Sequence, residues 1–133
     1  MAFVLDSSVT LAWLLPDEAD ERTDALSGRL EHENAHVPSI WPLEVGNALL
    51  TAQRRKRISE HEFERCVSAL AALPIEVDSP AILGSVLPIA KRFGLTSYDA
   101  AYLELARRRG FPLATLDEKL RKASKALKVS VLP

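Results

Sequence analysis

Four acidic residues stand where an expected strand gives way to a helix or where an expected helix begins. Asp6 follows the apolar run FVL and precedes the helix-like run SSVTLAWLL, and Asp117 occupies a similar junction in FPLATLDEKL. Glu44 in SIWPLEVGNALL and Asp99 in LTSYDAAYLELARRRG each fall in a first helical turn. Carboxylates at such places can bind a cation, take a proton from water, or simply stabilise the start of the helix.

Helix stabilisation is the simpler explanation for each acid taken alone, because helix N-termini favour negative charge. Asp99 stands three residues after Thr96, which is capping-box spacing, and Asp117 has Arg121 four residues further on as a charge partner. The other two acids, like Asp99, have no lysine or arginine three or four residues away on either side. Their charges therefore lack a partner on their own helix.

The neighbours of these acids favour a shared site. Glu44 has apolar residues at i−3, i+4 and i+5, and Asp99 is in line with Tyr102 on an apolar stripe. A carboxylate that faces packed surface is costly unless it is paired or binds a cation. Two carboxylates about 4 Å apart repel by roughly 4 kcal/mol at an effective dielectric constant of 20, so a cluster of four requires a divalent cation. Oxygen ligands alone suit Mg²⁺ or Mn²⁺ better than Zn²⁺.

Other polar residues give weaker indications. Ser8 and Thr115 each lie two residues from an acid, where they either orient a carboxylate by hydrogen bonding or cap a helix, and both interpretations stay open. The three histidines, His32, His36 and His61, lie in polar stretches without ligand spacing, and we expect them at the surface.

Strands alternate with helices along the chain. Apolar runs with strand character occur at 2–5, 35–37, 74–77, 111–114 and 129–132. The intervening helical patterns cover 7–15, 17–31, 41–55, 60–72, a segment that starts at 79–80 and is interrupted at Gly84 and Pro88, 97–109 and 117–127. This alternation predicts one domain, residues 1–133, with a three-layer α/β/α sandwich and a mostly parallel central sheet. Carboxyl ends of parallel strands border the crevice of such sheets, which places Asp6 and Asp117 at one edge.

The composition is that of an ordinary soluble globular domain, with 47% hydrophobic and 26% charged residues in 133 positions. No apolar run is long enough to span a membrane, and no basic leader precedes the first strand, so we expect a cytoplasmic protein. The one cysteine, Cys66, excludes an internal disulfide and fits a buried apolar position. The net charge of −1 hides an excess of acids in residues 1–53 and of bases in residues 107–128. That split indicates either a polyanionic partner or ordinary solvated helix faces.

The motifs FVLDSS, WPLEVGNAL, TSYDAAYLELA and PLATLDEKL resemble the PIN domain, and within it the VapC-like toxins of toxin–antitoxin pairs. Their order covers essentially the whole chain. The resemblance implies a metal-dependent endoribonuclease, usually dimeric, that a small cognate antitoxin inhibits. It makes Asp6, Glu44, Asp99 and Asp117 the acidic metal site, with RNA as the substrate. Any fifth ligand is left open, since Glu118 points elsewhere on its helix.

Two other functions remain as alternatives. An aspartyl-phosphate phosphatase of similar fold has a D-x-D motif after the first strand, whereas this chain has Asp6-Ser7-Ser8. A non-catalytic RNA- or protein-binding module would use the acids as helix caps and the basic helices as its contact face. The chain has no serine–histidine–acid spacing and no G-x-x-x-x-G-K motif, which gives other hydrolases and nucleoside triphosphatases little support.

Overall fold

A computed structural model describes residues 2–133 and contains five short strands and seven helices in those residues. The elements, in chain order, are β1 (Phe3–Leu5), α1 (Ser7–Leu14), α2 (Asp24–Arg29), β2 (Ala35–Val37), α3 (Trp41–Arg54), α4 (Glu60–Ala71), β3 (Ile75–Val77), α5 (Leu83–Phe93), α6 (Ser97–Arg109), β4 (Leu113–Ala114), α7 (Glu118–Ala126) and β5 (Val131–Leu132). No helix in that part of the chain has both the length and the apolar character needed to cross a membrane.

The strands form one sheet in the order β3-β2-β1-β4-β5, and every neighbouring pair is parallel. Helices α1, α3 and α4 pack on one another, as do α5, α6 and α7. Connections run outward from β1 to β3 and then return across the sheet to β4. Because parallel crossovers are right-handed, the two helix groups cover opposite faces. The predicted α/β/α architecture is confirmed, with a sheet that is parallel throughout.

The centre of the sheet supplies much of the core. All three residues of β1 and both residues of β4 are fully buried. Helix α4 begins at residue 60, as predicted, behind a capping box between Ser59 and Glu62. The Cys66 thiol is buried, as expected, and donates to the carbonyl of Leu14 at 3.4 Å. The Cys66 contact joins α4 to α1, and α6 packs against β1 and β4, whose ends carry the candidate acids.

Two helix predictions were wrong in extent. In place of one helix over 17–31, the chain forms two 3₁₀ turns, Pro16–Glu18 and Glu21–Thr23, before the short helix α2. Asp20 caps the second turn and pairs with Arg22, while Asp17 pairs with Arg57 before α4. Helix α5 starts at Leu83 instead of residue 79 or 80 and continues through Gly84 and Pro88 without a break. Proline removes one helical hydrogen bond there, but α5 remains packed along α6.

The prediction of a surface position for His36 was also wrong. Its strand, β2, is an inner strand covered on both faces, so all three residues of β2 are buried. The imidazole of His36 lies 4.8 Å from the ring of Phe111, and its Nε2 lies 3.3 Å from a carboxylate oxygen of Glu76 on β3.

Candidate metal centre

The carboxylate of Asp6 is buried at the carboxyl end of β1, with 4% of the residue exposed. Its backbone N–H donates to the carbonyl of Ala114 on β4 at 2.9 Å, and its carbonyl accepts the first hydrogen bonds of α1. The side chain makes no capping hydrogen bond. Asp6 therefore begins the helix through its main chain, and its carboxylate points to other partners.

Two hydroxyl groups hold the same oxygen of that carboxylate. Ser8 Oγ donates to Asp6 Oδ2 at 2.6 Å, and Thr115 Oγ1 donates to it at 2.7 Å. The other oxygen, Oδ1, has one long contact of 3.5 Å, from the Ser7 hydroxyl. Within residues 2–133, Asp6 forms no ion pair with a basic side chain. Burial raises the pKa of Asp6, and the two hydroxyl groups partly offset that increase.

The two hydroxyls are themselves fixed by main-chain donors. The N–H of Leu116 donates to Ser8 Oγ at 3.0 Å, and the N–H of Asp117 donates to Thr115 Oγ1 at 3.1 Å. Of the two interpretations left open for Ser8 and Thr115, the structure has both residues orienting Asp6. Their hydrogen bonds also join the segment after β4 to the segment after β1.

Glu44 approaches the same edge from the first turn of α3. Trp41, one turn earlier, donates through Nε1 to Thr10 Oγ1 at 3.1 Å and so fastens the start of α3 to α1. The carboxylate of Glu44 accepts a 2.6 Å hydrogen bond from the hydroxyl of Tyr102 on α6. Burial raises the pKa of Glu44, and the negative charges of Asp6 and Asp99 raise it further, while the Tyr102 hydrogen bond opposes them.

Asp99 and Asp117 complete the set at the starts of α6 and α7. The N–H of Asp99 donates to Thr96 Oγ1 at 3.0 Å, so the predicted threonine cap is present. Burial raises the pKa of Asp99, and the negative charge of Asp117 raises it further. The hydrogen bond with Thr96 and the positive charge of Lys119 offset part of this increase. Asp117 caps α7, with its Oδ1 accepting from the N–H of Leu120 at 2.8 Å.

Arg121 does not neutralise Asp117, although the two residues are one helical turn apart. Its guanidinium instead donates to three carbonyls, of Thr115 at 2.8 Å, Leu132 at 3.2 Å and Pro133 at 3.0 Å. The charge partnership that the spacing allows is therefore not formed. Arg121 ties the start of α7 to β5.

The structure brings the four acids to one edge but does not arrange them as a finished ligand set. Their charges act on one another, as the pKa values of Asp6, Glu44 and Asp99 show. Among residues 2–133, however, no three His, Cys, Asp or Glu side chains are placed so that they could hold a metal ion. Binding of one ion by several of these carboxylates thus requires their side chains to turn towards it.

The donor set still fits a hard divalent cation. All four candidates are carboxylates, and oxygen ligands are those that Mg²⁺ and Mn²⁺ take in proteins. The buried Asp6 carboxylate accepts hydrogen bonds from Ser7, Ser8 and Thr115 but has no cationic partner in residues 2–133, so no positive charge offsets its negative one. A cation at this edge would provide that compensation.

The most basic segments lie away from the acids. Helix α6 starts at the acidic edge and ends about 18 Å further along its axis, at Arg107, Arg108 and Arg109. Arg108 also forms ion pairs with Glu104 and Asp78. Helix α7 likewise carries Lys125 away from that edge. The charge split along the sequence therefore does not place these bases beside the candidate metal centre.

Tyr102 is the site residue that the sequence analysis did not identify. The sequence pattern places Tyr102 only on an apolar stripe, and its side chain is fully buried in the structure. Its position three residues after Asp99 puts it on the same face of α6, which was the available signal. Burial and the hydrogen bond to Glu44 raise the pKa of the Tyr102 hydroxyl, so it stays a proton donor to Glu44.

Fold and site together define an α/β protein with an acidic centre at the switch point of a parallel sheet, where β1 and β4 meet and the connections leave in opposite directions. The sequence model of the PIN domain matches residues 3–126. The chain belongs to the PIN domain family, which confirms the resemblance.

Individual relatives agree with that assignment. Ribonuclease VapC3 of Pyrobaculum aerophilum is 31% identical over 130 residues, covering 96% of this chain and 98% of the relative. Among solved structures, FitAcB from Neisseria gonorrhoeae has a TM-score of 0.68 at 20% identity, covering 100% of this chain and 97% of the other. VapBC2 from Rickettsia felis, bound to a DNA fragment from their promoter, has a TM-score of 0.68 at 12% identity and covers 98% and 97%. These two similarities show the shared fold.

Proposed function

We propose that this protein is a Mg²⁺- or Mn²⁺-dependent endoribonuclease in which Asp6, Glu44, Asp99 and Asp117 hold the metal. The observation that carries the proposal is the buried Asp6 carboxylate, fixed through Oδ2 by two hydroxyls and left without a cationic partner in residues 2–133. A purely structural cap would not need a buried charge held in this way. The ribonuclease name of the relative that matches 96% of the chain supports RNA as the substrate.

Held by Asp6, Glu44, Asp99 and Asp117, a divalent cation would supply Lewis-acid chemistry at this edge, making a water molecule more acidic and offsetting negative charge on the phosphate. Ser8 and Thr115 keep Asp6 turned so that Oδ1 is available, and Tyr102 holds Glu44 through Oε1. Asp99 lies in the first turn of α6 and Asp117 is the N-cap of α7, so both carboxylates approach the site from helix starts. One of the four carboxylates takes the proton from the attacking water.

We further propose that the protein is a cytoplasmic toxin whose activity a cognate antitoxin restrains. This role follows the resemblance to VapC-like toxins and the VapC name of the Pyrobaculum relative. The test of toxicity is expression without an antitoxin: wild-type protein should arrest growth of its host, while Asp99→Asn should not. Growth arrest by both proteins at equal expression would contradict a role for the acidic centre in toxicity.

A homodimer is the proposed assembly. Exposed apolar side chains include Leu43 and Leu50 in α3, Leu83 in α5 and Tyr98 in α6. Leu43 and Leu83 each line a shallow pocket together with Tyr98, and Leu50 lines another with Leu43. A second copy would cover this apolar surface. Light scattering after size exclusion should give twice the chain mass, and Leu83→Glu should reduce it to one chain mass. A monomeric wild type would overturn this part of the proposal.

The metal is tested first by thermal melting in EDTA, Mg²⁺ and Mn²⁺, with wild type and Asp99→Asn. An ion at one hundred times its dissociation constant adds about 2.7 kcal/mol to the free energy of unfolding. The shift should shrink in Asp99→Asn, because a carboxylate ligand is lost. If the metal ions left the melting temperature of both proteins unchanged, the non-catalytic binding module would be favoured.

Cleavage is tested with total cellular RNA, with fragment ends mapped by primer extension. Wild type with Mg²⁺ or Mn²⁺ should yield discrete fragments that EDTA prevents and that Asp99→Asn does not form. Discrete fragments in EDTA would contradict metal dependence while leaving ribonuclease activity standing. Absence of fragments with every metal, at concentrations where melting shows the ion bound, would contradict the nuclease assignment.

A further inference from the structure

Lys119 lies in the first turn of α7, at the edge of the sheet where the four acids are found. Its Nζ donates a 2.5 Å hydrogen bond to the carbonyl of Gly94, in the turn between α5 and α6. Gly94 has a φ of +63°, and a Cβ at that position would stand 3.5 Å from the same Nζ. The lysine side chain therefore reaches across the turn between α5 and α6. That turn lies five residues before Asp99 in the sequence.

The ammonium group of Lys119 is not consumed by an ion pair. Within residues 2–133 no carboxylate lies within salt-bridge distance of it, although Asp99 and Asp117 begin the adjacent helices. An ammonium group has three N–H donors, and the Gly94 carbonyl accepts from one of them. Two donors thus remain for an external acceptor. The positive charge also acts on Asp99, since it lowers a pKa that burial and Asp117 raise.

The surroundings of Lys119 favour a polyanion. Lys91 and Arg92 are exposed in the last turn of α5, which ends at Phe93, and Lys122 is exposed one turn further along α7. Four carboxylates at the same edge repel the phosphates of an approaching RNA. Cations beside the acids offset that repulsion, whereas the arginines at the far end of α6 lie too distant to do so.

We propose that Lys119 contacts a backbone phosphate of the RNA next to the acidic centre and thereby holds the strand against the carboxylates. The inference rests on the proposed ribonuclease function and adds to it a residue that binds the substrate. The Gly94 carbonyl fixes where the ammonium group stands, so within the basic surroundings Lys119 is the cation with a defined position.

The test measures binding of a fluorescein-labelled, mixed-sequence single-stranded RNA over a series of NaCl concentrations with Mg²⁺ present. Every protein is the full chain with Asp6→Asn, which keeps the RNA intact. For single strands, each phosphate contact contributes about 0.7 to the slope of log K against log salt concentration. Lys119→Gln should weaken binding and reduce that slope by about 0.7, and Lys119→Arg should restore it. Lys125→Gln, on the same helix but away from the acids, is the matched control and should keep the parent slope.

An unchanged slope in Lys119→Gln, or an equal loss in Lys125→Gln, would overturn the inference while leaving the nuclease assignment intact. A parent chain that shows no salt-dependent RNA binding would overturn both. In the wild-type background, Lys119→Gln should retain the Mn²⁺-induced rise in melting temperature, because Lys119 is not a metal ligand. Loss of that rise would show that the lysine supports the acidic centre instead of contacting RNA, and would also overturn the inference.

Discussion

The hydroxyl of Thr115 donates a 2.7 Å hydrogen bond to the carboxylate of Asp6, across 109 positions of sequence. Parallel pairing of β1 with β4 makes this contact, since the Asp6 N–H binds the carbonyl of Ala114, immediately before Thr115. The same Thr115 oxygen accepts from the N–H of Asp117. One side chain thereby links two of the four acids and relates the orientation of Asp6 to the start of α7.

Replacing Thr115 with valine tests the contribution of the hydroxyl, because valine keeps the shape of the side chain and lacks that group. Thr115→Val removes a donor to Asp6 and leaves the Asp117 N–H without its acceptor, so we expect the free energy of unfolding to fall by about 1–3 kcal/mol. Urea unfolding measures the change, and RNA cleavage should fall at least tenfold. Thr115→Ser keeps the hydroxyl and should retain cleavage; equal activity in the valine and serine variants would contradict the role of the hydroxyl.

Tyr102→Phe tests the hydrogen bond to Glu44 with little change in packing, because the buried ring is kept. Without the donor, Glu44 loses its fixed orientation, and we expect the metal dissociation constant to rise about 10- to 100-fold. Titration of the melting temperature with Mn²⁺ measures it. Tyr98→Phe changes an exposed tyrosine at the start of the same helix and should behave like wild type. Identical Mn²⁺ titrations for the two variants would show that the Tyr102 hydroxyl does not contribute to metal binding.

The acidic centre should make the metal-free protein more stable as the pH falls from neutral towards 3.8, the ordinary pKa of an aspartate side chain. Burial raises the pKa values of Asp6, Glu44 and Asp99 in the folded chain. A raised folded-state pKa means that the folded protein binds protons more tightly than the unfolded one, so this stability is present at low pH and is lost as the pH rises through the folded-state pKa.

Melting in EDTA between pH 4 and pH 8 measures this dependence. Asp6→Asn removes the most buried of these titrating groups and should flatten the curve. With Mn²⁺ the trend should weaken or reverse, because protons compete with the ion for the carboxylates. A metal-free curve of the same slope in wild type and Asp6→Asn would show that Asp6 carries no raised pKa.

Arg121→Met should destabilise the protein without affecting the charge of Asp117. The guanidinium donates to the carbonyls of Thr115, Leu132 and Pro133, and its loss removes these three hydrogen bonds, although the Leu132 carbonyl still accepts from the N–H of Thr115. We expect the free energy of unfolding to fall by about 1–3 kcal/mol in urea unfolding. The neighbouring exposed Lys122→Met is the control and should change stability little. If Arg121→Met unfolded at the wild-type urea concentration, the three hydrogen bonds would not contribute to stability.

Local chemistry determined the elements that the sequence predicted correctly. Strand composition marks each of the five strands, although β4 and β5 are two residues shorter than their apolar runs because the chain pairs only where a neighbouring strand runs alongside. Helix α4 starts after Ser59 because of a capping box, and α6 ends before the left-handed Gly110; both signals act within a few residues. Asp6 and Asp117 were placed at one edge because both follow strands of a parallel sheet.

The sequence by itself therefore determined the fold class, the family and the four candidate acids. Only the tertiary structure decided that β1 lies next to β4, that Thr115 holds Asp6 and that Tyr102 holds Glu44, since strand order depends on how the chain crosses the sheet. It also decided that His36 is buried and that Arg121 binds carbonyls instead of Asp117. Spacing along a helix shows which side chains can meet, but long-range packing determines which partner each polar group finds.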